Sequence, residues 1–167
     1  SRADIFQQDL VKTLTGLTEK YGVEPKYLHL EITESAYVDN ASRIVETLKE
    51  LRQLGFPIEM DDFGSGYSSL NMLGQLRLDI LKLDMKFVQS ETSQSADRGI
   101  LRLIVEMAHR MNLSVVAEGV ETQHQLSRLQ EIGCDYVQGY LFSKPVPHVQ
   151  YGELLENFSQ RQEAPLP

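Results

Sequence analysis

The stretch "FPIEMDDFGSGYSSL", residues 56–70, begins as an alternating apolar segment and closes on two adjacent carboxylates, Asp61 and Asp62, before glycines and hydroxyl-bearing residues take over. An Asx-type turn, or a helix start capped by Ser68 and Ser69, accounts for the residues after Gly64. Neither explains why an apolar run ends in paired acids. Alternate residues of a strand share a face, so a strand here sets Ile58 and Met60 on one side and Glu59 and Asp61 on the other.

The same division recurs in four further segments. In "YLHLEIT" (27–33) Leu30 and Ile32 oppose His29 and Glu31, and in "LDILKLD" (78–84) Leu81 and Leu83 oppose Ile80, Lys82 and Asp84. In "SVVAEGV" (114–120) Val115 and Ala117 oppose Val116 and Glu118; in "YVQGYLF" (136–142) Val137 and Gly139 oppose Tyr136 and Gln138. One face is apolar or small throughout, as helices packed against it require. The other ends, in all five segments, in a group that ionises or hydrogen-bonds. An open doubly wound sheet meets helices on both faces and reads apolar on both. A barrel instead gathers one face into a shared mouth at the carboxyl ends of its strands, where barrel enzymes place their chemistry. The pattern predicts an α/β barrel.

Amphipathic segments separate these strands. The spacing of Phe6, Leu10, Leu14 and Leu17 predicts a helix from about Asp4 to Tyr21, ended by Gly22. Further helices are expected at about Ala41–Leu54, from about Ser69, across "GILRLIVEMAHRM" (99–111), across "TQHQLSRLQEIG" (122–133) and near Glu153–Arg161. Strict alternation of this kind argues for parallel strands with crossover helices. A helix and five strand–helix units fall short of eight, so the expected fold is a (β/α)8 TIM-type barrel, here incomplete. The opening "SRADIFQQDL" carries no initiator methionine and reads like a piece of something longer, and residues 162–167 are expected to be a loose tail. A five-stranded parallel sheet leaves two open edges, which pairing with a second copy would cover.

Composition narrows the function classes. The chain has 167 residues, 41% hydrophobic and 24% charged, ordinary proportions for one globular domain. No run approaches the roughly 18 apolar residues that a membrane helix needs, and no charged start leads into an apolar signal segment, so a cytoplasmic setting is expected. The single Cys134 reads as a packing residue. A net charge of −8 is the wrong sign for gripping a nucleic acid polymer. Glu31, Asp61, Lys82, Glu118 and Gln138 would converge from five strands on one cavity. Carboxylates gathered in this way need cations or protons, and hard divalent ions with oxygen ligands, Mg²⁺ or Mn²⁺, suit them. His29, His109, His124 and His148 are scattered, without zinc-like spacing.

"LEITES" (30–35), "DDFGSGYSSL" (61–70), "LDILKLD", "VVAEGVET" (115–122) and "YVQGYLFSKP" (136–145) stand in the order and spacing of the bacterial EAL domain family, which the chain resembles from its first helix to about Pro147. The tripeptide "DFG" also marks protein kinases, but no Gly-rich phosphate loop, HRD-like segment or suitable lysine strand precedes it here. The resemblance implies a domain, residues 1–161, that hydrolyses the second messenger cyclic di-GMP to linear pGpG, or, alternatively, a receptor or scaffold that only binds it. It implies metal ligands at Glu31, Asp61 and Asp62 and catalytic roles for Lys82, Glu118 and Gln138. Glu34 and Glu121 would support neighbouring loops. Alternatives stay open at several of these positions: Glu34 as a helix-entry residue, Lys82 as a buried ion pair, Glu121 as a helix cap, and Gln138 as a hydrogen-bonded plug.

Two cations roughly 3.5–4 Å apart would share a water and stabilise both oxygens of an in-line displacement at phosphorus. The resemblance also implies a homodimer, with the loop after the aspartates coupling site to interface, and attached sensory or regulatory domains that could anchor the parent to a membrane. The family's signature glutamate, and an asparagine ligand two positions before Ser1, are expected upstream of the sequence. Among the positions present the departures are mild, such as Ser65 where threonine is common in the family.

Overall fold

A computed structural model describes residues 10–33, 41–64, 70–86, 89 and 99–162. Helix α1 (Leu10–Tyr21) and a short 3-10 turn (Pro25–Tyr27) lead into β1 (Leu30–Thr33), α2 (Ala41–Gln53), β2 (Ile58–Phe63), α3 (Leu70–Gln75) and β3 (Ile80–Leu83). The series continues with α4 (Ile100–Arg110), β4 (Ser114–Ala117), α5 (Gln123–Ile132), β5 (Tyr136–Val137) and α6 (His148–Gln162). The five strands form one sheet in the order β1-β2-β3-β4-β5, every neighbouring pair parallel. Sequential parallel order is what helix crossovers on a single side produce, and it is the arrangement of strands in a barrel wall.

The apolar face meets the helices as expected. Ile58, Met60, Leu81, Leu83, Val115 and Ala117 are fully buried. Three helices cover them with one and the same stripe, at positions i, i+4 and i+7: Ile44, Leu48 and Leu51 on α2; Leu101, Val105 and Ala108 on α4; Gln125, Leu129 and Ile132 on α5. The polar member, Gln125, is buried with its Oε1 accepting from the Glu121 and Thr122 N–H groups at 2.8 and 2.9 Å. With Thr122 Oγ1 accepting from Gln125 N–H, these bonds form a capping box that fixes the start of α5.

In α1 the expected stripe is rotated. Leu10 and Leu14 pack against the core, but Val11 and Thr18 share the inner side and Leu17 is exposed. Threonine is tolerated there because its hydroxyl bonds back to the helix, Thr15 Oγ1 to Val11 O at 2.8 Å and Thr18 Oγ1 to Thr15 O at 2.9 Å. Phe6 lies outside the described residues. Helix α6 begins at His148, earlier than expected, because the Pro147 carbonyl accepts from Tyr151 N–H at 3.0 Å and opens the helix there. Of the expected tail only Gln162, the last residue of α6, is described.

A carboxylate ties the amino ends of β2 and β4 to their surroundings in the same manner. Asp79, directly before β3, accepts from Ile58 N–H at 3.0 Å and from Arg52 of α2 at 2.8 Å. Asp135, directly before β5, accepts from Val115 N–H at 2.8 Å and pairs with His109 Nε2 of α4 at 2.9 Å. Partial burial, the largest single influence on each acid, pushes its pKa upward, but the basic partner and the strand N–H together hold both below the usual carboxylate value.

Candidate functional site

Strand β2 carries the site's main irregularity. Its register against β3 runs Met60↔Leu81 and then Phe63↔Leu83, so Asp61 and Asp62 together face the single residue Lys82. This is a β-bulge, and Asp62 adopts the left-handed φ of +57° that accommodates the extra residue. Without it, period-two alternation would send Asp62 to the helix face and Phe63 away from it. With it, Phe63 joins the buried core beside Met60, and both aspartates are only half-buried.

Four strand ends then meet at one point. Lys82 Nζ lies 2.6 Å from Glu31 Oε1, 2.8 Å from Glu118 Oε1 and 3.1 Å from Asp61 Oδ1. Only 8% of the Lys82 side chain is exposed, against 52% for Glu31, 23% for Glu118 and 20% for Asp61. Burial, the largest single influence on the ammonium, favours its neutral form, but the Glu118, Glu31 and Asp61 carboxylates together outweigh it and raise its pKa above the ordinary lysine value. Glu118 is set by its own N–H, which donates to Leu83 O at 3.1 Å.

The remaining expected residues divide. Gln138 stands exposed past the end of β5, its N–H donating to Ala117 O at 2.9 Å and its carbonyl accepting from Val120 N–H at 3.1 Å. No hydrogen bond joins its side chain, or that of Asp62, to Lys82. Asp84 is a local cap, its Oδ1 accepting from Lys86 N–H at 2.8 Å. The capping role considered for Glu121 belongs to Thr122, and the Glu121 side chain is exposed. Glu34 lies outside the described residues.

Cys134 has the packing role expected of it. Its thiol contacts the Tyr136 and Val115 carbonyls at 3.2 and 3.5 Å, and burial pushes its pKa up to about 11. Sequence reasoning missed the pairing of His29 with the buried Glu59 and of His109 with Asp135. Placing an aspartate immediately ahead of both β3 and β5 was the available signal for the strand clamps.

The cluster suits hard cations in its chemistry, since all three donors are carboxylate oxygens. Asp61 Oδ1 is buried and accepts no well-aligned hydrogen bond, so it retains an unused acceptor site. Among the described residues, however, no three acidic, histidine or cysteine side chains are arranged so that they could hold a metal ion as they stand. The carboxylates converge on an ammonium, at distances longer than the roughly 2.0–2.1 Å of a Mg²⁺–oxygen bond.

The lysine–carboxylate centre lies on the face of the parallel sheet opposite the helices, the inner face of a barrel wall. The chain belongs to the EAL domain family, whose model matches residues 1–145. It is 40% identical over 156 residues to the cyclic di-GMP phosphodiesterase NbdA of Pseudomonas aeruginosa, covering 93% of this chain and 20% of that protein. Among solved structures it superposes on the EAL domain of Mycobacterium smegmatis DcpA with a TM-score of 0.86 and 34% identity, covering 93% of this chain and 70% of that one. The Klebsiella pneumoniae BlrP1 complex with manganese and cyclic di-GMP matches with a TM-score of 0.78 and 32% identity, over 84% of this chain and 36% of that one. The chain spans about a fifth of the length of the curated relatives it matches first. The fold is therefore of TIM-barrel type, with five consecutive strand–helix units seen here. No helix among the described residues is long and apolar enough to cross a membrane.

Proposed function

We propose that this chain is part of a phosphodiesterase domain that hydrolyses cyclic di-GMP to linear pGpG with Mg²⁺ or Mn²⁺ in a two-metal site. The observation that carries this reading is the meeting of Glu31 of β1, Asp61 of β2 and Glu118, the residue following β4, at the Lys82 ammonium of β3. Relatives 36–40% identical to the chain are named as cyclic di-GMP phosphodiesterases, and one similar structure holds manganese with the cyclic dinucleotide.

Glu31, Asp61 and Asp62 would hold the ions, and the bulge in β2 is what lets adjacent aspartates serve one mouth. Such ions, when bound, neutralise phosphoryl charge and activate water. Lys82 supplies a fixed positive charge that positions the attacking water and the phosphate. Glu118 Oε1 accepts a proton from the attacking water as the water oxygen bonds to phosphorus and the P–O3′ bond breaks, and the departing ribose oxygen takes its proton from solvent water. Gln138, at the rim, offers an amide donor to a phosphoryl oxygen. A cytoplasmic setting, a homodimer and attached regulatory domains complete the reading.

Incubation of the full-length protein with cyclic di-GMP and Mn²⁺, followed by chromatography, tests it. Wild type accumulates pGpG, and Asp61→Asn and Glu118→Gln lower the rate by about 100-fold or more, the scale of losing a group from a concerted site. Binding without any pGpG would transfer the chain to the receptor class.

A further inference from the structure

We propose that Lys82 is an internal counter-cation: it assembles the Glu31–Asp61–Glu118 centre before any divalent ion arrives, and it must yield part of its contacts when one binds. The inference rests on the reading of this site as a metal centre. Three carboxylates brought this close repel one another unless a positive charge lies among them. Here that charge is the ammonium, within 3.1 Å of all three and almost wholly withdrawn from solvent. No other cationic side chain is paired with Glu31, Asp61 or Glu118 among the described residues.

The geometry gives the ammonium two opposing effects. It draws in oxygens that belong to strands β1 and β2 and to the residue following β4, so two of the ligands, Glu31 and Asp61, and the proton acceptor Glu118 are gathered in the metal-free protein. It also stands at their meeting point, which an ion bonded at about 2.0–2.1 Å would need for itself. Asp61 Oδ1, buried and without a well-aligned donor, is the oxygen that the lysine serves least and an arriving ion would serve best. Lys82 therefore lowers metal affinity while raising the stability of the metal-free state. The charge is what matters, so arginine should preserve both effects and methionine should remove both.

The test is Mn²⁺ binding to the full-length protein, followed by electron paramagnetic resonance and by calorimetry, with thermal melting in EDTA and in saturating Mn²⁺. Lys82→Met should bind Mn²⁺ at least about tenfold more tightly than wild type and melt at lower temperature in EDTA, with Mn²⁺ closing that gap. Lys82→Arg should stay within about threefold of wild-type affinity. If Lys82→Met does not fold in EDTA, refolding on addition of Mn²⁺ supports the proposal, and failure to refold overturns it. Unchanged or weaker Mn²⁺ binding by Lys82→Met, with wild type binding normally and Asp61→Asn not binding, overturns this inference alone. Wild type that takes up no Mn²⁺ overturns the metal-centre reading and this inference with it.

Discussion

Replacing Gly139 with alanine is expected to dislodge the segment that carries Gln138. A Cβ at residue 139 would lie 2.1 Å from Val120 O, 2.3 Å from Val120 N and 2.7 Å from Val120 C, all backbone atoms that cannot rotate aside. Relief requires the two segments to part by more than about 1 Å in a close-packed region. That movement strains the bonds between Val120 N–H and Gln138 O (3.1 Å) and between Leu141 N–H and Val120 O (2.9 Å), which fix the exit from β5. Two backbone hydrogen bonds at about 1 kcal/mol each, with overpacking of about 1–2 kcal/mol, give a loss of about 3–4 kcal/mol. For a domain of this size that lowers the melting temperature by roughly 6–16 °C.

Urea unfolding followed by circular dichroism should show a lower midpoint with an unchanged slope. Gly133→Ala provides the contrast. Gly133 has a left-handed φ of +89° but no atom within 4 Å of its would-be Cβ, so only about 1–2 kcal/mol of backbone strain is expected. Equal effects from the two substitutions, or no change from Gly139→Ala, would refute the steric reasoning.

Three further outcomes follow from the geometry. Thr122→Ala removes the hydroxyl of the capping box on α5 and should cost about 1 kcal/mol, measured as a shift in the unfolding midpoint. Asp79 has a folded pKa below its unfolded value of about 3.9, so its contribution is complete above about pH 4 and disappears as pH falls through the folded value. Asp79→Asn should therefore destabilise the protein at pH 7, by about 1 kcal/mol after discounting the exposure of the Arg52 pair, and the gap to wild type should close in acid melts. Cys134, with its thiol raised to about 11, should react with a thiol reagent at pH 7.5 far more slowly in the folded protein than in urea.

Much of the barrel wall was legible because burial imposes simple periods. Ile58, Met60, Leu81, Leu83, Val115 and Ala117 read as one face from parity alone, and all are fully buried. Parity failed at Asp61–Asp62–Phe63, where a bulge breaks the period of two. The sign was an apolar Phe63 falling on the polar side of the count. Strand β5 stops at Val137, although the residues after it are strand-like and Gln138 and Leu141 still bond to the segment that follows β4. Convergence of Glu31, Asp61, Lys82 and Glu118 followed from their shared face, but the place of Lys82 at their centre did not. Which of several inward groups occupies the centre depends on relative strand heights, and those come from register. The Asp79 and Asp135 clamps are likewise pairings across 20 residues or more, invisible to local patterns.

The most direct test of the account is anomalous diffraction at the manganese edge from crystals of the full-length protein soaked with Mn²⁺. A peak within bonding distance of Asp61 Oδ1 and Glu31, with the Lys82 ammonium drawn back from Asp61, is the predicted result. Manganese located elsewhere, with Lys82 still holding all three carboxylates, would contradict it.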